Sequence, residues 1–101
     1  MSISTNLSSL QANQVFMNTN ANNIANVNTD GFIPTDTRII ENQNSVDATT
    51  RLADNNGSSK SQTDLTKELT DQVIISGVEE ANVTAIKTQD EMFGTLLDIK
   101  A

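Results

Sequence analysis

A chain of 101 residues holds one modest domain, and a domain of that size buries a limited fraction of its surface when it stands alone. Its formal net charge of -7, with six scattered basic residues, excludes nucleic acid as a partner, because phosphate binding needs clustered Lys and Arg. The absence of Cys and His removes the usual zinc ligands, thiol nucleophile and neutral-pH general base, so the expectation is a non-enzyme with no cofactor and no metal.

The start of the chain lacks the charged and apolar stretches of a secretory signal, and no segment approaches the roughly 20 apolar residues of a membrane span. No membrane insertion is expected. Only three aromatic residues are present, Phe16, Phe32 and Phe93, so aliphatic side chains must supply the burial. That inventory suits helix-on-helix packing.

The first segment carries no ionised side chain from Met1 to Thr29. Within it Ile3, Leu7, Leu10, Gln14, Met17, Ala21 and Ile24 recur in steps of four and three, which predicts an amphipathic helix with a heptad seam. Ser2 or Ser4 can cap its start. Gly31 can take the left-handed conformation past its end, and Pro34 opposes continuation. Seven asparagines between Asn6 and Asn26 compete with the backbone for hydrogen bonds, so this helix depends on packing within or between subunits.

From Ile33 to Thr63 the pattern weakens to a connector with at most one short strand, at Thr37 to Glu41, and a turn-rich stretch around Asn56-Gly57. A second helix starts from a cap at Thr63 or Asp64 and runs to about Ile99. It shows two apolar stripes. Leu65 and Leu69 lead to Val83, Ile86, Phe93 and Leu97, while Ile74, Val78, Ala81, Ala85, Met92, Leu96 and Ile99 follow a neighbouring face. Gly77 and Gly94 inside this helix point to close approach or local bending. The resulting division is an N-terminal helix with its Asn-rich end over 1–32, a connector over 33–63, and a C-terminal helix over 64–101.

The run NNIANVNTDGF, Asn22 to Phe32, together with SLQANQ, Ser9 to Gln14, closely resembles the N-terminal signature of bacterial flagellar rod, hook and hook-associated proteins. DLTKEL, Asp64 to Leu69, and EANVTAIKTQDEMFGTLLDI, Glu80 to Ile99, resemble the C-terminal helix of that family. The resemblance implies a mainly α fold, in which two long terminal helices form a coiled-coil-like pair and assemble into a helical tube. It also implies a structural role supporting motility. The partners would be copies of the chain, other rod and hook proteins and the flagellar type III export apparatus. The location would be the basal-body rod that spans the periplasm, reached without a cleaved signal peptide. The low local propensity of the first helix fits a chain that folds as it docks.

Residues carried across by the resemblance or by the apolar seam form the expected assembly interface. They are Leu7, Leu10, Met17, Asn22, Asn23, Ile24, Asn26, Asn28, Gly31 and Phe32 in the first half. In the second they are Ala81, Asn82, Ile86, Met92, Phe93, Leu96 and Leu97. For the asparagines an ordinary polar helix end that satisfies local carbonyls is the plain alternative. Gly77 and Glu79 stand where the family often has Arg and Tyr, Ile33-Pro34 replaces its basic continuation, and the outward domain is nearly absent. The alternative function is a soluble adaptor or export regulator that mimics rod termini. A generic coiled coil unrelated to flagella fits the heptad but not the Asn22 to Phe32 run.

Overall fold

The computed structural model describes the backbone of residues 3–100 and the side chains of residues 4–98. The order of elements is α1 (Ile3–Ala25), β1 (Thr35–Glu41), β2 (Val46–Leu52) and α2 (Leu65–Lys100). A radius of gyration of 18.0 Å, with extents of 67 × 22 × 14 Å, sets this chain apart from a compact fold. A compact chain of the same length would have a radius near 13 Å. The long axis is that of α2, whose 36 residues span roughly 54 Å at 1.5 Å each.

Helix α1 ends six residues before Gly31, because asparagine side chains close its last turn. Asn26 Nδ2 donates to the Asn22 carbonyl at 2.8 Å, and the backbone turns from Asn26 to Asn28. Two hydroxyls of the returning chain add second donors to carbonyls at the helix end, Ser61 Oγ donating to Asn26 O and Thr63 Oγ1 to Asn23 O. The expectation that Gly31 ends the helix is corrected, although its left-handed backbone is present at φ +78°. Gly31 instead occupies the third position of a turn closed by Phe32 N–H donating to Thr29 O. At the other end, the proposed cap Ser2 lies outside the described residues.

Helix α2 begins at the expected cap. Asp64 Oδ1 accepts from Lys67 N–H, and Asp64 O accepts the first helical bond from Glu68 N–H. The helix runs unbroken through Gly77 and Gly94, and no atom stands within 4 Å of a Cβ added at either. Packing within the chain therefore does not require these glycines.

The connector is more ordered than its sequence suggests. Two seven-residue strands pair antiparallel from Thr35↔Leu52 to Glu41↔Val46, closed by the four residues 42–45. Alternation sorts the hairpin into two faces. Asp36, Arg38, Asp47, Thr49 and Arg51 lie on one, and Val46 is buried on the other among α1 residues Ser9, Ala12 and Phe16. The sequence hides β2 because VDATTRL alternates small or polar residues, with Val46 and Leu52 as its only large apolar ones.

The helices run antiparallel, but with an inverted core. Among the described residues, Pro34 apart, only Ala12, Val46 and Ile75 are buried apolar side chains, whereas Thr5, Asn6, Ser9, Asn13, Asn20, Asn23, Glu68 and Asn82 are buried polar ones. The apolar heptad of α1 is not the seam within the chain, since Leu7 is 50% exposed, and its continuation at Ile3 lies outside the described side chains. Nor do Met92, Phe93, Leu96 and Leu97 pack on α1, as each is more than half exposed. Ile99 is again outside the described side chains.

Candidate functional site

A second heptad interleaves with the apolar one on α1. Asn6, Asn13 and Asn20 are seven apart, as are Ser9, Phe16 and Asn23, so these six follow steps of three and four along one face. On α2 the residues Glu68, Ile75, Asn82 and Gln89 are also seven apart. These two rows meet.

The contacts form rungs along the pair. Asn6 Nδ2 donates to Gln89 Oε1 at 3.2 Å, Asn82 Nδ2 to Ser9 Oγ at 2.9 Å, and Asn13 Nδ2 to the Ile75 carbonyl at 2.9 Å. The last rung is a node. Asn20 Nδ2 donates to both Glu68 O and Glu68 Oε2, and Asn23 Nδ2 donates to Glu68 Oε1. Asn23 also pairs with the strand edge, donating to Thr35 O while its Oδ1 accepts from Thr35 N–H. One asparagine thus ties α1 to both β1 and α2. At the far end of the hairpin Ser8 plays a matching part, its Oγ accepting from Val46 N–H and donating to Val46 O.

Glu68 is 3% exposed, and a buried carboxylate is costly unless its oxygens are paired. Here each oxygen accepts from an asparagine amide, and Lys67 Nζ lies 3.8 Å away. The same ammonium lies 2.9 Å from Asp71 and 3.9 Å from Asp36 of the hairpin. Partial burial alone would lower the Lys67 pKa. The Asp71 hydrogen bond and the charges of Asp71, Glu68 and Asp36 outweigh that effect and hold it above its ordinary value.

The structure divides the sequence-derived interface residues into three groups. Asn23 and Asn82 are buried in the seam. Asn22 and Asn26 form local bonds at the end of α1, which is the plain alternative for them, and Asn28 is exposed. The apolar members lie outside the seam. Leu7, Met92, Phe93, Leu96 and Leu97 are exposed, as are Ala81 and Gly31, while Leu10, Met17, Ile24, Phe32 and Ile86 are half-buried. Sequence reasoning missed Asn6, Asn13, Asn20, Glu68 and Gln89 as pairing residues. The signal was their seven-residue spacing, which a search for apolar periodicity passes over.

Among the described residues no helix is long and apolar enough to cross a membrane, and no group of three or more Asp or Glu gathers to hold a metal ion. The arrangement is one of surfaces, with polar side chains inside, paired except for Asn6 Oδ1 and Thr37 Oγ1, and apolar ones presented outside. Residues 3–32 match the family described as flagella basal body rod protein, a span that covers α1, its closing turn and Phe32. No curated protein matches the chain.

Proposed function

We propose that this chain, a rod-protein family member by its residues 3–32, is a structural subunit of the flagellar axis that joins neighbours through the outer faces of its helix pair. That family is structural, not enzymatic. The observation that carries the proposal is the inversion of the core. A soluble monomer of this size buries its large aliphatic side chains, yet here Val73 is 73% exposed and Leu96 62%. Exposed apolar side chains that lie together, as Met92 and Leu96 do, mark an interaction site. The polar seam sets the two helices side by side and leaves their apolar stripes for other chains.

The partners on this reading are further copies and other rod or hook proteins. Assembly gives a helical tube in the basal body that crosses the periplasm and supports motility. Delivery is by the flagellar type III apparatus without a cleaved signal, and the low propensity of α1 suits a chain that is threaded before it folds. The hairpin takes the place of a projecting domain. Purified basal bodies probed by mass spectrometry and labelled electron microscopy test this directly. The expected result is stoichiometric chain in the rod; chain found only in the soluble fraction would favour the adaptor that mimics rod termini.

A further inference from the structure

Away from the helix seam, the loop that leads from the hairpin to α2 places one reactive pair in water. Asn56-Gly57 is the only asparagine followed by glycine in the sequence, and residues 54–60 around it are all exposed. The hydrogen bonds of the loop arrange the pair. Ser58 N–H donates to Asn56 Oδ1 at 2.9 Å, an Asx turn that folds the Asn56 side chain over the Gly57 peptide nitrogen. Among the described residues no atom stands within 4 Å of where a Gly57 Cβ would be, so no side chain crowds the approach.

We propose that Asn56 is a self-modification site, its side-chain amide displaced by the Gly57 peptide nitrogen, and that Asn55 restrains this reaction. Gly57 N gives its proton to water or hydroxide and attacks Asn56 Cγ. A C–N bond forms as the Cγ–Nδ2 bond breaks, and ammonia leaves with a returned proton. The product is a cyclic imide, which water opens. Breaking the new Cγ–N bond yields aspartate in a normal backbone, whereas breaking the original peptide C–N bond yields isoaspartate, in which the chain runs through Cγ. Either way an amide and a water become a carboxylic acid and ammonia, without oxidant or cofactor, and the acid ionises.

Two neighbours act in opposite directions. Ser58 N–H already holds the oxygen that gains negative charge when Gly57 N adds to Cγ, which favours the addition. Asn55 opposes it. Its Oδ1 accepts from Gly57 N–H at 2.8 Å, so the proton that must leave is held by an amide oxygen, which does not take it as a base. Gln62 keeps Asn55 in place, donating from Nε2 to the same Oδ1 at 2.9 Å while its Oε1 accepts from Asn56 N–H at 3.0 Å. Loss of the Asn55 amide therefore frees the nucleophile and leaves the Asx turn standing.

The products differ in what they do to the fold. Ser59 O accepts from Gly31 N–H at 2.9 Å and Ser61 Oγ donates to Asn26 O at 2.7 Å, so this segment clamps the turn that follows α1. Aspartate keeps an acceptor for Ser58 N–H and preserves the clamp. Isoaspartate lengthens the main chain between Asn55 and Ser59 and displaces it. The site lies apart from the apolar stripes of the helices and does not depend on the rod role.

Trypsin releases the pair on one peptide, Leu52 to Lys60, because Arg51 and Lys60 bound it. Folded protein held at mildly alkaline pH is followed by anion-exchange chromatography and by mass spectrometry of that peptide. The first product should be a more acidic chain with Asn56 converted to aspartate and isoaspartate, ahead of the exposed Asn44 before Ser45 at the hairpin tip. Asn55→Ala should convert faster than wild type, and faster folded than in urea, because the alignment survives and the restraint does not. Gln62→Leu, which unseats Asn55 without replacing it, should quicken conversion too and serves in place of Asn55→Ala if circular dichroism shows that variant unfolded. Conversion of Asn44 before Asn56 would remove the site. Unchanged rates in the folded variants would remove the restraint, and a variant no faster folded than in urea would remove the alignment.

Discussion

Asn20 and Glu68 are joined twice, Asn20 Nδ2 donating to the Glu68 backbone carbonyl at 2.8 Å and to its Oε2 at 2.9 Å. With Asn23 on the other carboxylate oxygen, this node fixes the register of α1 on α2 and hence which faces of the pair remain outside. Replacing Glu68 by Ala leaves two buried amides short of an acceptor, at about 1–3 kcal/mol per group. Gln keeps one acceptor and turns the other into a donor facing a donor. Urea unfolding should therefore rank wild type above Glu68→Gln, and Glu68→Gln above Glu68→Ala; an Ala variant as stable as wild type would remove the node's role.

The rungs are not equivalent. Asn13 donates to the carbonyl of Ile75, which sits within the α2 helix and keeps its helical partner when Asn13 is lost. Asn23 serves Glu68 Oε1 together with the backbone N–H and carbonyl of Thr35, so its loss removes a hydrogen bond from each of the three. Asn13→Leu should be near neutral, since apolar replacement of a buried polar contact often is, whereas Asn23→Leu should cost more than about 2 kcal/mol. Chemical denaturation of the two variants side by side checks the order.

Much of the backbone is legible in the order of residues alone. The apolar heptad from Ile3 to Ile24 marks the body of α1, although Gly31 does not mark its end, and Asp64 marks the start of α2 because a carboxylate followed by a helical run is a strong local signal. The seam is not legible by the same means. Apolar periodicity assumes that the greasy face turns inward, and in Leu7, Met92 and Leu96 it turns outward. Asn6, Asn13 and Asn20 read as helix-weakening residues, when their amides are what pair the helices. The strand expected at Thr37 to Glu41 lies within β1, whereas β2 escapes notice because its burial rests largely on Val46, whose backbone is held by Ser8 of α1.

Lys67 gives the node a pH dependence at alkaline values. Its folded pKa lies above the ordinary 10.5, so the stability it contributes is complete below that value and is lost as pH rises through the folded pKa. The side chain is half exposed, so solvent screening keeps the effect small. Unfolding midpoints followed upward from pH 9 should fall more steeply for wild type than for Lys67→Met. Parallel curves would show that the cluster of Asp36, Glu68 and Asp71 does not depend on this ammonium.

Gly31 holds a φ of +78°, and no atom stands within 4 Å of where a Cβ would be. The cost of substitution is thus one of backbone conformation alone. Gly31→Val should destabilise by about 1–3 kcal/mol, and Gly31→Asn by less, since Asn tolerates the left-handed region better. Thermal unfolding of both variants decides. Equal midpoints for Val and Gly would mean that the turn from Thr29 to Phe32 relaxes without penalty.

Leu96 separates folding from assembly. In the free chain it is 62% exposed, so truncating it removes little that holds the monomer together. If a neighbouring chain covers it, Leu96→Ala in the assembled state carries the roughly 2–5 kcal/mol of a buried leucine. Repeated at every subunit contact, a loss of that size defeats a structure built from many copies. Leu96→Ala should therefore be exported and show wild-type helicity by circular dichroism, yet fail to enter the rod and abolish swimming. Leu10→Ala, at a half-buried position on the other apolar heptad, should abolish swimming in the same way. Glu79→Ala, which alters charge beside the seam but removes no apolar contact, should swim. Normal swimming with both leucines truncated would show that the outward apolar stripes are not what this chain contributes to the axis.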